Sequence, residues 1–195
     1  MPSITQIPSG VLLTFDDGPS EYVIPLLNIL KRKHVMAFFF WLGENLSPSQ
    51  SISQVLAEGH GIGSHGFHHK ILSDLSYQEQ YWEIQQSKVA LENCIQSPIR
   101  FFRPPNGRMN EDTIAIAKSF HLHCVRWNIG SWDWAHAHDP DTIADHVVGH
   151  VSSGSIVLLH ELPQTVIILE QLIDRIREKG LDFAGPEALD LRVGL

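Results

Sequence analysis

The chain has 195 residues, 43% hydrophobic and 18% charged, which fits one compact domain over residues 1–195 and excludes a disordered chain. A formal net charge of -8 at pH 7 argues against the basic face that a nucleic-acid or anionic-membrane binder needs, and favours a neutral or cationic substrate. No apolar stretch reaches bilayer length, and MPSITQIPSG has no basic segment followed by an apolar one; the expected compartment is the cytoplasm, or the cell exterior or periplasm if a leader has been trimmed.

Taken in chain order, β-branched and aromatic runs predict strands at Val11–Phe15, Val35–Trp41, Ile62–Ser64, Arg100–Phe102, Leu122–Trp127, Ser155–Leu159 and Leu181–Phe183. Amphipathic patterns between them predict helices over about Tyr22–Lys33, Ser49–Glu58, Ser76–Ile95, Glu111–Phe120, Pro140–Val151 and Pro163–Lys179. The last one ends on a basic turn with Gly180 after it. Such alternation predicts a parallel α/β architecture, either an open doubly wound sheet or a barrel. Cys94 and Cys124 stand alone in the pattern and read as buried thiols rather than a disulfide framework.

Polar residues cluster where these strands end. Asp16-Asp17 follows the first, His65 the third, Arg103 the fourth, Asp133 the fifth, and His160 closes the sixth. In a parallel barrel all strand C-termini open on one face, so these groups are expected to converge. Thr14-Phe15-Asp16-Asp17-Gly18-Pro19 offers two adjacent carboxylates on a turn, one able to ligate a hard metal and the other to act as general base. Acid-Gly-Pro is also ordinary turn chemistry.

His65 and His69 are spaced i, i+4 and share a face if the segment is a helical turn; with Asp17 they make a two-histidine, one-carboxylate metal set. His68 can replace either, whereas His121, His123, His136, His138, His146 and His150 read as surface residues. Arg103 can orient a carboxylate through two parallel hydrogen bonds. After Pro104 and Pro105, which have no N–H, Asn106 has the first backbone donor and is a candidate oxyanion group. Trp127 to Trp134 mixes aromatics with an acid, as sugar-binding surfaces do, although Trp127 also suits plain packing. His160 is an acid-base candidate at a strand end.

With these residues in place, the sequence resembles the polysaccharide deacetylase family, also called the NodB-homology or carbohydrate esterase 4 domain, from Val11 to about Phe183. The resemblance rests on five ordered segments: Thr14–Pro19, His65–His69, Arg103–Gly107, Gly130–Trp134 and Leu158–His160. It implies a distorted (β/α) barrel of about seven parallel strands and an enzyme that removes N-acetyl groups from an amino-sugar glycan, with hydrolysis of a small amide, formamide or ureide, or non-catalytic carbohydrate binding, as alternatives. The implied cofactor is one divalent ion, most simply zinc, on Asp17, His65 and His69. Asp16 is then the general base oriented by Arg103, His160 the general acid held by Asp133, and Asn106 the oxyanion donor. Leu158, Trp134 and Pro105 would line the substrate pocket. Three positions depart from the family pattern: Gly66 stands for Ser or Thr, Asn106 for an aromatic residue and Gly130 for Asp.

Overall fold

The computed structural model describes residues 3–47 and 50–194. Seven strands form one sheet: β1 (Val11–Gly18), β2 (Ala37–Trp41), β3 (Gly61–Ser64), β4 (Phe101–Phe102), β5 (His123–Cys124), β6 (Ile129–Gly130) and β7 (Ser155–His160). Their order is β5-β4-β3-β2-β1-β7-β6, and every pairing is parallel. The helices are α1 (Val23–Arg32), α2 (Gln50–Ala57), α3 (Tyr77–Ile95), α4 (Glu111–Ser119), α5 (Pro140–His150), α6 (Pro163–Glu178) and α7 (Glu187–Val193). The sheet curls into a half-barrel, the distorted (β/α) barrel expected, and it stays open because its edge strands β5 and β6 do not pair among the described residues.

Strand alternation sorts the residues of β1 between two environments. Leu13 and Phe15 join the larger core, whose residues from α1, α5 and α6 cover the sheet's outer face. Leu12 belongs to a smaller inner core with Phe38, Phe40, Phe101, Val125 and Ile156. Ile4, Ile7, Ala188 and Leu189 complete that inner core, so the N-terminal segment and α7 pack inside the curl. Capping boxes, Ser76 with Glu79 and Asn110 with Thr113, start α3 and α4.

Three expectations need correction. Leu181–Phe183 is no sheet strand; Phe183 makes a single bridge to Val11, and the seventh strand is Ile129–Gly130, too short to show a period. The run Leu122–Trp127 contributes only His123–Cys124 to the sheet, because the Arg126 N–H turns to the Ile4 carbonyl at 2.7 Å. Cys94 and Cys124 are free but only partly buried. Ser49, the expected start of the second helix, lies outside the described residues. No helix among the described residues is long and apolar enough to cross a membrane.

Candidate active site

Register brings the acid-base candidates together. Parallel pairing of β1 with β7 sets Thr14 beside Leu158 and Asp16 beside His160. By alternation Asp16 shares the inner face with Leu12 and Thr14, and His160 with Ile156 and Leu158, so both emerge at the C-terminal mouth of the half-barrel. Asp17 would point the other way. It does not, because the β1–β2 register shifts between Asp16 and Gly18 and Asp17 adopts φ 72°, which turns its carboxylate back to the same opening.

There Asp17, His65 and His69 converge, with one ligand atom from each within 4.8 Å of the others. Asp17 Oδ1 lies 3.4 Å from His65 Nε2 and 3.4 Å from His69 Nε2. His65 Nδ1 meets the Arg103 carbonyl at 2.8 Å, so Nδ1 carries the hydrogen and Nε2 presents a lone pair. Burial, opposed by the Asp17 charge, lowers the His65 pKa to about 3 and keeps the ring neutral. Asp17 Oδ1 is buried with no hydrogen-bond partner. Facing lone pairs around an orphaned carboxylate oxygen fit a divalent cation, and the nitrogen–oxygen donor set suits zinc.

The two histidines sit in a loop, so the i, i+4 spacing does not act here through a helical turn. Gly66 at φ 84° and His69 at φ 56° bend that loop, which suits glycine at the position where the family has Ser or Thr. Buried Glu83, on α3, fastens it: one carboxylate oxygen accepts the N–H groups of Phe67 at 3.1 Å and His68 at 2.9 Å. The other oxygen meets His68 Nδ1 at 2.9 Å, so His68 is tied outside the ligand cluster.

Asp16 and Arg103 form a buried pair at 2.7 Å. The contact is single rather than bidentate, because Arg103 also reaches Thr14 Oγ1 at 2.7 Å and the Arg126 carbonyl at 3.2 Å while lying 4.1 Å over the Phe40 ring. Asp16 Oδ2 therefore stays available, 3.6 Å from His65 Nε2. Burial raises the Asp16 pKa above the usual carboxylate range, with Arg103 pulling against it.

Across the opening, Asp133 Oδ1 accepts from His160 Nδ1 at 2.7 Å and from the Trp134 N–H at 3.0 Å. Its Oδ2 accepts from the His160 N–H and from Thr165 Oγ1, each at 2.7 Å. Burial alone would lower the His160 pKa, but the Asp133 hydrogen bond and charge, with Asp16 and Asp17 behind them, raise it to about 9.

Asp16, Asp17, His65, His69 and His160 line a cleft of about 550 Å³ together with Asn106, Trp127, Gly130, Trp132, Trp134, Leu158, Glu161 and Leu162, while Arg103 and Asp133 stand behind its wall. Pro105, expected in its wall, is buried and lies 3.6 Å from where a Cβ on Gly66 would stand. Sequence patterns do not single out Glu83, Thr165 or Glu161, and mark Trp132 only as one member of the run from Trp127 to Trp134. Glu161 accepts from Trp41 Nε1 and the Ser20 N–H, each at 2.7 Å, and its carboxylate fills the space beside Gly18 where any Cβ would clash.

Residues 4–125 match the family model described as polysaccharide deacetylase. The chain is 33% identical over 180 residues to a peptidoglycan-N-acetylglucosamine deacetylase of Bacillus cereus, an alignment covering 89% of this chain and 65% of that protein. It is 33% identical over 161 residues to a chitooligosaccharide deacetylase of Azorhizobium caulinodans, covering 81% and 76%. Among solved structures it is similar to a CE4 family pseudoenzyme from Bacillus anthracis, with TM-score 0.88 and 25% identity over 95% of this chain and 67% of that one. The architecture is thus a NodB-type barrel. The chain belongs to the polysaccharide deacetylase family.

Proposed function

We propose that the protein is a metal-dependent hydrolase that removes N-acetyl groups from an amino-sugar glycan of the chitin-oligomer or peptidoglycan type and releases acetate. The observation that carries this reading is the pairing of Asp16 with His160 on adjacent strands, a base and an acid flanking the Asp17, His65 and His69 cluster. Asp17, His65 and His69 would hold a divalent ion such as zinc, which when bound would supply Lewis-acid chemistry by lowering the pKa of a water and polarising a carbonyl.

Asp16 receives the proton of the attacking water on Oδ2, since Oδ1 is committed to Arg103. Arg103 keeps the carboxylate oriented and draws its pKa down, although burial outweighs that pull and leaves it raised. His160, protonated at Nε2, then gives a proton to the amide nitrogen as the carbon–nitrogen bond breaks, leaving a free amine and acetate. Asp133 holds its ring through Nδ1. The Asn106 N–H is assigned to the developing oxyanion, and Leu158 and Trp134 to the acetyl methyl group.

Acetate release from chitotetraose tests the reading. The intact protein should release acetate, lose the activity with a chelator and regain it with one equivalent of zinc. Turnover of small amides with none on chito-oligosaccharides or peptidoglycan fragments would refute the glycan assignment.

A further inference from the structure

Seven described non-glycine residues have positive φ, and they fall into two groups. Gln96 is the left-handed C-cap of α3, and His34 and His121 directly follow the C-caps of α1 and α4, an ordinary way to end a helix. The remaining four, Asp17, His69, Asn106 and Trp132, all line the cleft. For Asp17 and His69 the conformation aims a ligand. Asn106 belongs to a residue type that enters this region readily. Trp132, at φ 60° and ψ 22°, does not, and the reaction chemistry gives it no task.

Packing does not explain Trp132 either. Its side chain is 50% exposed, and its ring neighbour Trp134, with centroids 5.6 Å apart at 47°, is 58% exposed. Two half-exposed indoles at a cleft mouth give little core stabilisation, and strain kept at such a place points to function rather than folding. The backbone on either side is firmly held: the Ser131 N–H bonds the Leu158 carbonyl at 3.1 Å, and the Asp133 side chain is locked on His160 and Thr165. Gly130 adds no side chain that would cover the ring, since a Cβ there would meet only Trp127, at 3.6 Å. A cleft of about 550 Å³ is also far larger than an acetyl group needs and lies in the range that encloses a whole small-molecule ligand.

We propose that Trp132 is a substrate-recognition residue whose exposed face stacks on a pyranose ring of an oligosaccharide, the ring next to the one carrying the reacting N-acetyl group. This rests on the glycan reading above and deepens it: recognition extends over at least two sugar rings. Indole faces suit the apolar faces of pyranoses, and the rigid backbone around Trp132 presents the ring without further ordering.

The test compares wild type with Trp132→Asn and Trp132→Phe by calorimetric binding of chitotetraose and of N-acetylglucosamine to metal-free protein, beside thermal melting. Trp132→Asn should melt higher, because asparagine tolerates the left-handed backbone. It should bind chitotetraose about tenfold more weakly, on the scale of one lost aromatic contact, with binding of the monosaccharide unchanged. Trp132→Phe should keep most of the tetramer affinity. Unchanged tetramer binding in Trp132→Asn, an equal loss for both ligands, or a lower melting point would overturn the proposal. If wild type binds chitotetraose through Trp132 yet releases no acetate, the deacetylase reading fails and this one stands. If Trp132→Asn releases acetate with unaltered KM, the reverse holds.

Discussion

Asp133 and Trp134 are neighbours in the chain, yet one is fully buried and the other 58% exposed. The same division runs through the whole cleft. Its floor, made of Asp16 and His65 with Arg103 and Asp133 buried behind it, is out of contact with solvent, and each side chain is held by a hydrogen bond or ion pair to another strand or loop. Its rim, made of Asn106, Trp132 and Trp134, is exposed and held mainly by backbone. Charges removed from water must be paired, so the floor tolerates little change, while exposed aromatics can vary with the ligand. Under the function proposed above, the buried floor together with the Asn106 N–H would carry the reaction, and the exposed tryptophans of the rim would carry the choice of glycan.

The floor gives the largest expected effects. His160→Ala should lower kcat by about 10² to 10⁴, the usual worth of a general acid, with little change in KM. Adding Asp133→Asn to it should cost little more, because both serve one proton transfer; full additivity in a double-mutant cycle on acetate release would separate them. With the His160 pKa raised to about 9, its acid form persists through neutral pH and is lost as pH rises through that value. The alkaline limb of the rate profile should sit near there in wild type and move down in Asp133→Asn. An unmoved limb would mean that His160 owes its protonation to another group.

Glu83→Gln sharpens the comparison from outside the cleft. It removes the carboxylate that fixes the loop between His65 and His69, and so should weaken zinc affinity by about tenfold, as lost outer partners of metal ligands do. At saturating zinc, kcat should return; if it does not, Glu83 acts on more than loop geometry. The smallest effect belongs to the rim. Trp134→Ala should raise KM for chitotetraose a few-fold with kcat nearly intact, since an exposed contact serves ground state and transition state alike. A loss in kcat matching that of the floor variants would erase the distinction.

How much of this is legible in the sequence follows the same line. Asp16, Arg103 and His160 stand at the ends of apolar runs, and a parallel sheet brings strand ends together, so the convergence is readable without coordinates. The histidines are readable as a pair but not as a loop, because i, i+4 spacing carries a helical meaning that Gly66 and His69 defeat with positive φ. Glu83 hides on a long polar helix where one more glutamate resembles a solvated face; its burial comes from the loop lying over it. Strand β6 and helix α7 are too short to show a period, and tertiary packing alone defines them. The left-handed conformation of Trp132 leaves no trace in composition.

The central claim is that adjacent carboxylates divide the labour, Asp16 moving a proton and Asp17 holding the metal. The most direct test is zinc content by elemental analysis, with acetate release, on purified Asp16→Asn and Asp17→Asn. Asp16→Asn should retain one zinc per chain while losing activity, and Asp17→Asn should lose the zinc. Zinc lost from Asp16→Asn and kept by Asp17→Asn would reverse the two roles and contradict the claim.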